Sequence, residues 1–273
     1  MPEGPEIRRA RDQLAAAIEG KIALKLRFYL PVLREWNRRF DGVRIMQVQS
    51  RGKAMLTHLS NGYSIYSHNQ LYGRWMVVDA GVLPPSTRQL RVAIHTEDKW
   101  ALLYSASDIQ VLTPSQLESH PFLSKLGLDV LDNQTSAEQI RLRLLSRPFV
   151  RRQLGGFLTD QSFVAGLGNY LRCEILFASG LHPRQRPCDL NGMQLRLLAE
   201  NILGLPRQSY QSGGVTNDLQ RAQRLQAAGA SFEQARFLVF RREDEACYVC
   251  AARIVKQTHA GQGCYLCPNC QQA

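Results

Sequence analysis

The hydrophobic positions at the start of the chain repeat with the period of a helix. Between Pro5 and Glu19 the apolar residues recur at intervals of three and four, and Gly20 stands where a helix C-terminal cap is expected. The apolar stripe consists of Ile7, Ala10, Leu14 and Ile18. This pattern predicts one amphipathic helix that holds Pro2 at its N-terminal end.

From residue 22 to residue 112 the pattern is that of short strands, rich in β-branched and aromatic residues. Turn residues such as Asn61-Gly62 and Asp98-Lys99 separate them. Because no helical period intervenes, we expect the strands to pack as an antiparallel β-sandwich. The predicted strands are Ile22–Leu30, Val43–Ser50, Ala54–Leu59, Tyr63–Ser67, Trp75–Asp79, Gln89–Thr96, Trp100–Ser105 and Ile109–Leu112.

The second half of the chain has the pattern of helices. Residues 127–133 have the composition of a linker, and Thr135 followed by Glu138 predicts a capping box. The predicted helices are 136–145, 150–161, 168–179 and 189–203. Residues 211–235 are polar, of uncertain helix content, and are interpreted as a mobile segment. The fold class is therefore α+β, and the predicted domains are 1–130, 131–235 and 236–273.

The charge of the chain favours an anionic polymer as partner. The sequence has 34 Lys and Arg against 23 Asp and Glu, a net charge of +11. Residues 1–130 carry 17 basic and 12 acidic side chains, and residues 131–273 carry 17 and 11. Both halves are basic, as expected if they share one ligand. The polar N-terminus does not resemble a secretory leader, and no apolar run approaches the ~20 residues of a membrane span, so we expect a cytoplasmic protein.

Five of the seven cysteines fall within the last 27 residues, and four of them have the spacing of a zinc ribbon. Each Cys-x2-Cys knuckle places two sulfurs on one side, so two knuckles close a tetrahedron around one structural Zn²⁺. The preferred ligands are Cys247, Cys250, Cys267 and Cys270. Cys264 and Cys267 have similar spacing and form an alternative second knuckle. In the preferred register Cys264 is a spare thiol.

The first residues contain a candidate nucleophile. If the initiator Met1 is removed, Pro2 supplies a secondary amine beside the carboxylate of Glu3. A secondary amine forms an iminium that stays cationic until it hydrolyses, so it remains an electron sink. Since an α-amino group titrates near pH ~8, a useful fraction is free base at neutral pH. The alternative is that Pro2, Gly4 and Pro5 only delay the first helix.

Four separated stretches resemble the bacterial formamidopyrimidine-DNA glycosylase/endonuclease VIII family. They are Met1–Glu6, Arg51–Ala54, Gly166–Leu171 and Cys247–Cys270, and Ser67–Gly73 is similar to the endonuclease VIII branch. The resemblance spans nearly the whole chain. It implies a bifunctional DNA glycosylase and abasic-site lyase of base excision repair that excises oxidised bases, chiefly pyrimidines.

The resemblance also implies roles for individual residues. Pro2 would attack C1′ of the damaged nucleotide, Glu3 would handle protons at the sugar, and Lys53 would serve the elimination steps. In isolation, Lys53 has the features of an ordinary surface lysine. The family's wedge, which fills the gap left by an extruded base, corresponds to Gln70, Leu71 and Tyr72, although Leu71 and Tyr72 are also ordinary hairpin residues.

For the second half, the resemblance implies a helix-two-turn-helix domain that binds DNA. The glycines of Gly166–Leu171 would expose backbone amides to phosphate at a helix N-terminus, and Asn169 would add a side-chain contact. The expected partner is double-stranded DNA that contains oxidised bases or abasic sites. The protein is expected to act as a monomer on the bacterial nucleoid.

Two positions depart from the family pattern. Lys125 stands in place of a DNA-contacting arginine, which keeps the charge but not the bidentate fork. Gln262 aligns with the arginine at the tip of the family's zinc hairpin and supplies no cation. The nearest basic candidates are Lys256 and His259, and the loss puts the second elimination step in doubt.

Two alternatives remain from the sequence. One is a non-catalytic zinc-ribbon DNA-binding protein on the same scaffold, which the changed hairpin tip favours and the intact Pro2, Glu3 and Lys53 oppose. The other is a glycosylase for formamidopyrimidine or oxoguanine lesions, against which the contiguous Gln70, Leu71 and Tyr72 argue.

Overall fold

A computed structural model describes residues 2–272. The chain divides into two compact units. The N-terminal unit comprises Pro2 and Glu6–Lys125, and the C-terminal unit comprises Glu3–Pro5 and the chain from Leu126 onwards. The ribbon cysteines belong to the C-terminal unit, and the predicted division into three domains stays a prediction. Among residues 2–272, no helix combines the length and apolar character that crossing a membrane requires.

The first helix, α1, spans Gly4–Ile18, and the predicted stripe explains its packing. Ile7, Leu14 and Ile18 are almost completely buried in the core of the N-terminal unit. Gly20 follows the helix with φ of 78°, the left-handed conformation that glycine adopts without steric cost.

The N-terminal unit contains two antiparallel sheets, which confirms the predicted sandwich. The strands are β1 Ile22–Ala23, β2 Lys25–Phe28, β3 Val43–Arg51, β4 Ala54–Leu59, β5 Ser64–His68, β6 Arg74–Asp79, β7 Leu90–His95, β8 Lys99–Tyr104 and β9 Asp108–Leu112. One sheet has the strand order β1-β3-β4-β5-β9 and the other β2-β7-β8-β6. Inward residues of both sheets, such as Val48 and Leu103, join one hydrophobic cluster. A short helix, α2, at Pro114–Glu118 follows β9.

The C-terminal unit is helical, with a small parallel pair of strands and a terminal hairpin. Apolar side chains of its two main helices, including Ile175 and Ile202, pack into its core. Its elements are β10 Leu128–Asp129, α3 Ala137–Leu144, α4 Leu154–Phe157, β11 Val164–Ala165, α5 Asn169–Ala178, α6 Gly192–Gln211, α7 Leu219–Ala227, α8 Phe232–Ala235, β12 Val255–His259 and β13 Gln262–Leu266. Together with the sandwich, this architecture confirms the α+β fold class.

Several helix predictions were inaccurate. The capping box of α3 is formed by Ser136 and Gln139, one residue later than predicted, because each side chain accepts a hydrogen bond from the other's backbone N–H. Helix α6 continues through Pro206, which is buried, to Gln211. The helix predicted at 150–161 is reduced to α4.

The segment 211–235, predicted to have uncertain helix content, contains α7 and α8. Hydrogen bonds fix the turn before α7, because Gln208 donates to the carbonyls of Val215 and Asn217. The side chain of Asp218 then accepts from the Arg221 N–H and caps α7. Polar side chains that bond to the backbone therefore order a segment whose composition resembles a loop.

Candidate active site and zinc site

The carboxylate of Glu3 lies at the N-terminus of α5, within the C-terminal unit. One oxygen accepts from Gly168 N at 2.6 Å and from Leu171 N at 3.4 Å, and the other accepts from Tyr170 N at 2.8 Å. Glu3 is only 2% exposed. A helix N-terminus concentrates unpaired N–H groups and positive dipole charge, so it stabilises a buried carboxylate there.

Two glycines permit this arrangement. A Cβ on Gly168 would lie 2.4 Å from the carboxyl carbon of Glu3, so any larger residue would displace the carboxylate. Gly4 N donates to Gly166 O at 2.8 Å, and a Cβ on Gly4 would lie 3.0 Å from the Gly166 Cα. The glycines of this segment therefore give the N-terminal residues close access to α5.

This geometry corrects the expectation that these amides are open to phosphate. The N–H groups of Gly168, Tyr170 and Leu171 bind Glu3, and Gly166 N donates to Gln161 Oε1 at 3.0 Å. The carboxylate supplied by the chain itself takes the place expected for an anion of the DNA.

Asn169 contacts the hairpin of β12 and β13 through its amide. Its Nδ2 donates to Gly263 O at 2.9 Å, and its Oδ1 accepts from Arg172 at 2.6 Å. Its role as a DNA contact stays a prediction, since both polar atoms have partners inside the C-terminal unit.

Arg172 is a residue that the sequence reasoning missed. It is completely buried, and its guanidinium donates to the carbonyls of Gly155, His259 and Gly263 as well as to Asn169. The three carbonyls belong to α4 and to the two hairpin strands. Arg172 thus fixes the hairpin against α5, and its position three residues after Asn169 was the available sequence signal.

The hairpin turns at Ala260 and Gly261, which have φ of 48° and 74°. Positive φ at both central residues is typical of the type I′ turn of two-residue hairpins. Gln262 is exposed directly after this turn and pairs with His259. His259 is buried, and its burial lowers the pKa of the imidazole, so it is a poor replacement for an arginine. Lys256 lies further along β12 and is exposed.

The four cysteines of the preferred register lie close together. Their sulfurs are all within 4.8 Å of one another, with Cys250 to Cys267 at 3.4 Å and Cys247 to Cys270 at 3.9 Å. Thiolates around a tetrahedral Zn²⁺ with bonds of 2.3 Å would be separated by about 3.8 Å. The donor set therefore fits a structural zinc ion held by four protein ligands, as predicted.

Cys264 is not part of this group. Its sulfur lies 3.9 Å from that of Cys173, and both side chains are buried. The structure therefore favours the register that ends at Cys270 over the alternative second knuckle.

In the N-terminal unit, Lys53 lies at the tip of the hairpin between β3 and β4. Gly52 precedes it with φ of 58°, and the pairing of Arg51 with Ala54 leaves only these two residues in the turn. Glycine at the first central position suits such a tight turn. The turn thereby places Lys53 at the tip of the hairpin.

The predicted wedge lies in the loop between β5 and β6. Gln70 has φ of 49°, and its side chain accepts from Ser107 Oγ at 2.7 Å. Leu71 and Tyr72 are 56% and 70% exposed, which is unusual for large apolar residues placed side by side. Lys125 is also exposed, at the end of the N-terminal unit.

Both halves of this chain are similar in sequence to known protein families. The model of the formamidopyrimidine-DNA glycosylase N-terminal domain matches residues 1–107, and that of the H2TH domain matches residues 126–220. Endonuclease 8 of Salmonella arizonae is 48% identical over 272 residues, which cover 100% of both chains. The chain belongs to the formamidopyrimidine-DNA glycosylase/endonuclease VIII family.

Further family members agree in sequence and fold. Endonuclease 8 of Klebsiella pneumoniae is 49% identical over 271 residues, 99% of this chain and 100% of that protein. A complex of Lactococcus lactis Fpg with abasic-site DNA has a TM-score of 0.82 at 20% identity, over 99% of this chain and 100% of that one. MutM in complex with DNA that contains carbocyclic 8-oxo-G gives 0.81 at 21% identity, over 100% of both. These structures support the fold alone.

Family membership confirms the predicted resemblance and fold but does not test individual residues. Glu3, Asn169, Gln262 and the four cysteines lie in the C-terminal unit, where the contacts above were found. The other candidates, Pro2, Lys53, Gln70, Leu71, Tyr72 and Lys125, lie in the N-terminal unit. The catalytic and DNA-binding roles of both sets stay predictions.

For zinc, we expect one ion per chain, and loss of that ion when Cys247, Cys250, Cys267 or Cys270 is changed to Ser. A structural site contributes folding free energy directly, so these variants should also unfold the ribbon and weaken DNA binding. Metal content and duplex affinity measure both effects. Cys264→Ser is the matched control and should keep its zinc. Retention of zinc by Cys270→Ser, with loss in Cys264→Ser, would show that the register is wrong.

Proposed function

We propose that this DNA glycosylase and abasic-site lyase of base excision repair excises oxidised pyrimidines through a covalent intermediate on Pro2. The observation that carries the proposal is the fixed position of Glu3. Its carboxylate is held by three backbone N–H groups at the start of α5, directly after the residue that supplies the amine. A carboxylate so placed accepts a proton next to the nucleophile in the chain, and once protonated it can return that proton.

The chemistry needs one amine and positioned acids and bases. The Pro2 nitrogen attacks C1′ and forms a C–N bond, and the glycosidic bond breaks with its electron pair leaving on the base, which gains a proton. The Pro2 nitrogen loses its proton, and the C1′–O4′ bond breaks with its electron pair on O4′, which takes up a proton. The nitrogen lone pair completes the C=N bond of the iminium. This cation acidifies the C2′ hydrogen, so loss of that proton expels the 3′ phosphate by β-elimination. Lys53, at the tip of its hairpin, is assigned to the elimination steps, and water finally releases Pro2.

The substrate is double-stranded DNA that contains an oxidised base or an abasic site. A damaged base must leave the helical stack before C1′ is accessible. The exposed Leu71 and Tyr72, with the amide of Gln70, are the side chains assigned to fill the gap. The contiguous wedge and the 48% identity to proteins called Endonuclease 8 favour pyrimidine over purine lesions. We infer a monomer that acts on the chromosome in the bacterial cytoplasm.

Borohydride reduction in the presence of abasic-site DNA tests this function. The iminium is reduced to a stable amine, so protein and DNA should migrate as one covalent adduct. The alternative of a non-catalytic zinc-ribbon protein requires binding without any adduct. Competition between thymine-glycol and oxoguanine duplexes then separates the two lesion classes, and preferential excision of oxoguanine would contradict the pyrimidine assignment.

A further prediction concerns Gln262, at the tip of the hairpin. Each phosphate contact contributes about 0.9 to the slope of log affinity against log salt concentration, so Gln262→Arg should steepen the slope by roughly that amount. The added cation should also favour loss of the second phosphate, and the product should shift from β- toward β,δ-elimination. Binding titrations at several salt concentrations and gel analysis of the cleaved strand measure the two effects.

Lys256→Ala is the comparison variant for this prediction, since Lys256 is the remaining exposed cation of the two basic candidates on the hairpin. If Gln262→Arg changes neither measurement while Lys256→Ala reduces both, the cation has been relocated along β12 and the assignment of Gln262 is wrong.

A further inference from the structure

A basic groove lies beside Tyr72 in the N-terminal unit and is not used by the mechanism above. Its volume is about 430 Å³. Two arginines and neutral polar residues line it, and no carboxylate is among the lining side chains. These residues are Tyr72, Thr87, Arg88, Gln89, Arg91 and Ser105. We call this cavity the Arg88–Arg91 groove.

The backbone around the groove is irregular in a way that directs side chains. Arg91 is the extra residue of a bulge in β7, because Leu90 pairs with Tyr104 while Val92 already pairs with Leu103. A bulge re-aims the side chain of the extra residue away from the ordinary alternation of a strand. Ser105, which follows Tyr104, has φ of 53°. The sheet therefore departs from regular pairing where Arg91 enters the groove.

The arginines of the groove are not neutralised by the protein. Within residues 2–272, neither Arg88 nor Arg91 has a carboxylate within ion-pair distance, whereas Arg27 of the same unit pairs with Asp41 at 2.6 Å. The Nε of Arg91 is buried and lacks a hydrogen-bond partner in the described part of the chain. Two guanidinium groups without a carboxylate partner among residues 2–272 repel each other in one cavity, so an anion is the complementary ligand.

The geometry of the hydrogen-bond donors indicates which kind of anion fits the groove. Guanidinium groups present planar forks of N–H donors that match the oxygens of a phosphate. Thr87, Gln89 and Ser105 add neutral hydrogen-bonding groups to the same lining. A carboxylate ligand would also satisfy the charge, but the partner of a DNA glycosylase carries one phosphodiester per nucleotide.

The groove is also connected to the predicted wedge. The guanidinium of Arg88 donates to the backbone carbonyl of Tyr72, and the Tyr72 side chain lines the groove. A ligand that binds Arg88 therefore contacts the residue that holds the Tyr72 backbone in place.

We propose that Arg88 and Arg91 bind a backbone phosphodiester of the DNA beside the wedge. The inference rests on the proposed function for the identity of the ligand as DNA. Arg91 provides the phosphate contact from the bulge, and Arg88 joins that contact to the Tyr72 backbone. The phosphate thereby sets the register of the wedge on the duplex without reading sequence.

Salt-dependent binding of an undamaged duplex tests the proposal with the full chain. Arg91→Gln and Arg88→Gln should each reduce the slope of log affinity against log salt by about 0.9, and the double variant by about 1.8. Arg34→Gln is the matched control, because Arg34 is exposed in the same unit and its substitution removes the same charge. Melting temperatures of all variants identify any that fail to fold. Arg91→Lys keeps the charge but loses the planar fork of donors, so it should retain the slope and weaken the affinity.

Equal slopes for wild type, Arg34→Gln and Arg91→Gln would overturn the proposal. A second arm uses inorganic phosphate as the probe: if Arg91→Gln removes stabilisation by phosphate but leaves the DNA slope unchanged, the groove binds a small anion rather than DNA. Failure of the wild type to form the borohydride adduct refutes the glycosylase mechanism instead. The two proposals therefore fail by different measurements.

Discussion

Retention of Met1 should abolish the covalent adduct on abasic-site DNA while duplex binding changes little. Acylation converts the Pro2 nitrogen into an amide, whose lone pair is delocalised into the carbonyl and is no longer a nucleophile. Binding depends on charge spread over the surface, which one blocked amine barely alters. The measurement is adduct formation by a Met1-retaining protein, verified by intact mass, beside anisotropy titrations of the same sample.

Pro2→Ala is the informative companion variant. After removal of Met1 it offers a primary amine at the same place, so adduct should form, but more slowly, because the imine can lose its proton and stop acting as an electron sink. Normal turnover by protein with a confirmed blocked N-terminus would rule out Pro2 as the nucleophile. If Met1-retaining protein still forms an adduct, and Lys53→Ala in that same protein abolishes it, the nucleophile is Lys53.

The sandwich was predictable because its signals are local. Short runs rich in β-branched and aromatic residues, separated by turn motifs, defined the strands, and Ala54–Leu59 was predicted with the observed bounds. Helix ends were less predictable where tertiary packing competes with propensity. The apolar ring of Pro206 is buried within α6, and the helix passes a residue that predicts its end from sequence alone.

The zinc site was predictable for the same reason, since the spacing of two knuckles almost defines a tetrahedral site by itself. The environment of Glu3 could not be predicted from the sequence. Its partners lie 165 to 168 residues away, and nothing in the first six residues indicates that helix α5 will supply three N–H groups. The buried Arg172 was missed likewise, because only the folded chain brings the carbonyls of Gly155, His259 and Gly263 to one guanidinium.

Glu3→Gln should lower base excision and also destabilise the protein. Loss of positioned proton transfer typically costs a factor of about 10²–10⁴ in rate. The carboxamide has one acceptor oxygen, and its NH₂ group would face a backbone N–H of α5. Losing charged hydrogen bonds at this buried site should reduce the free energy of unfolding by about 2 kcal/mol. Single-turnover excision and denaturant titration measure the two effects separately.

Gly168→Ala separates the position of the carboxylate from its chemistry. The backbone of Gly168 is extended, with φ of −136°, a conformation that alanine also adopts. The only obstacle to alanine is therefore the space for its methyl group. That methyl would lie 2.4 Å from the Glu3 carboxyl carbon and must move the side chain, although the carboxylate itself remains. We therefore expect excision to fall toward the level of Glu3→Gln, with adduct formation on a pre-formed abasic site less affected because no base has to leave.

Gly192→Ala is the matched control, because a Cβ there would meet no atom of residues 2–272 within 4 Å and the position lies in the first turn of α6. It should leave excision unchanged and stability equal or slightly higher, since alanine favours a helix. If Glu3→Gln and Gly168→Ala both unfold more easily but excise at the wild-type rate, Glu3 is a helix cap without a proton-transfer role. If Gly168→Ala matches the wild type in both measurements, the position imposed by α5 is not what makes Glu3 effective.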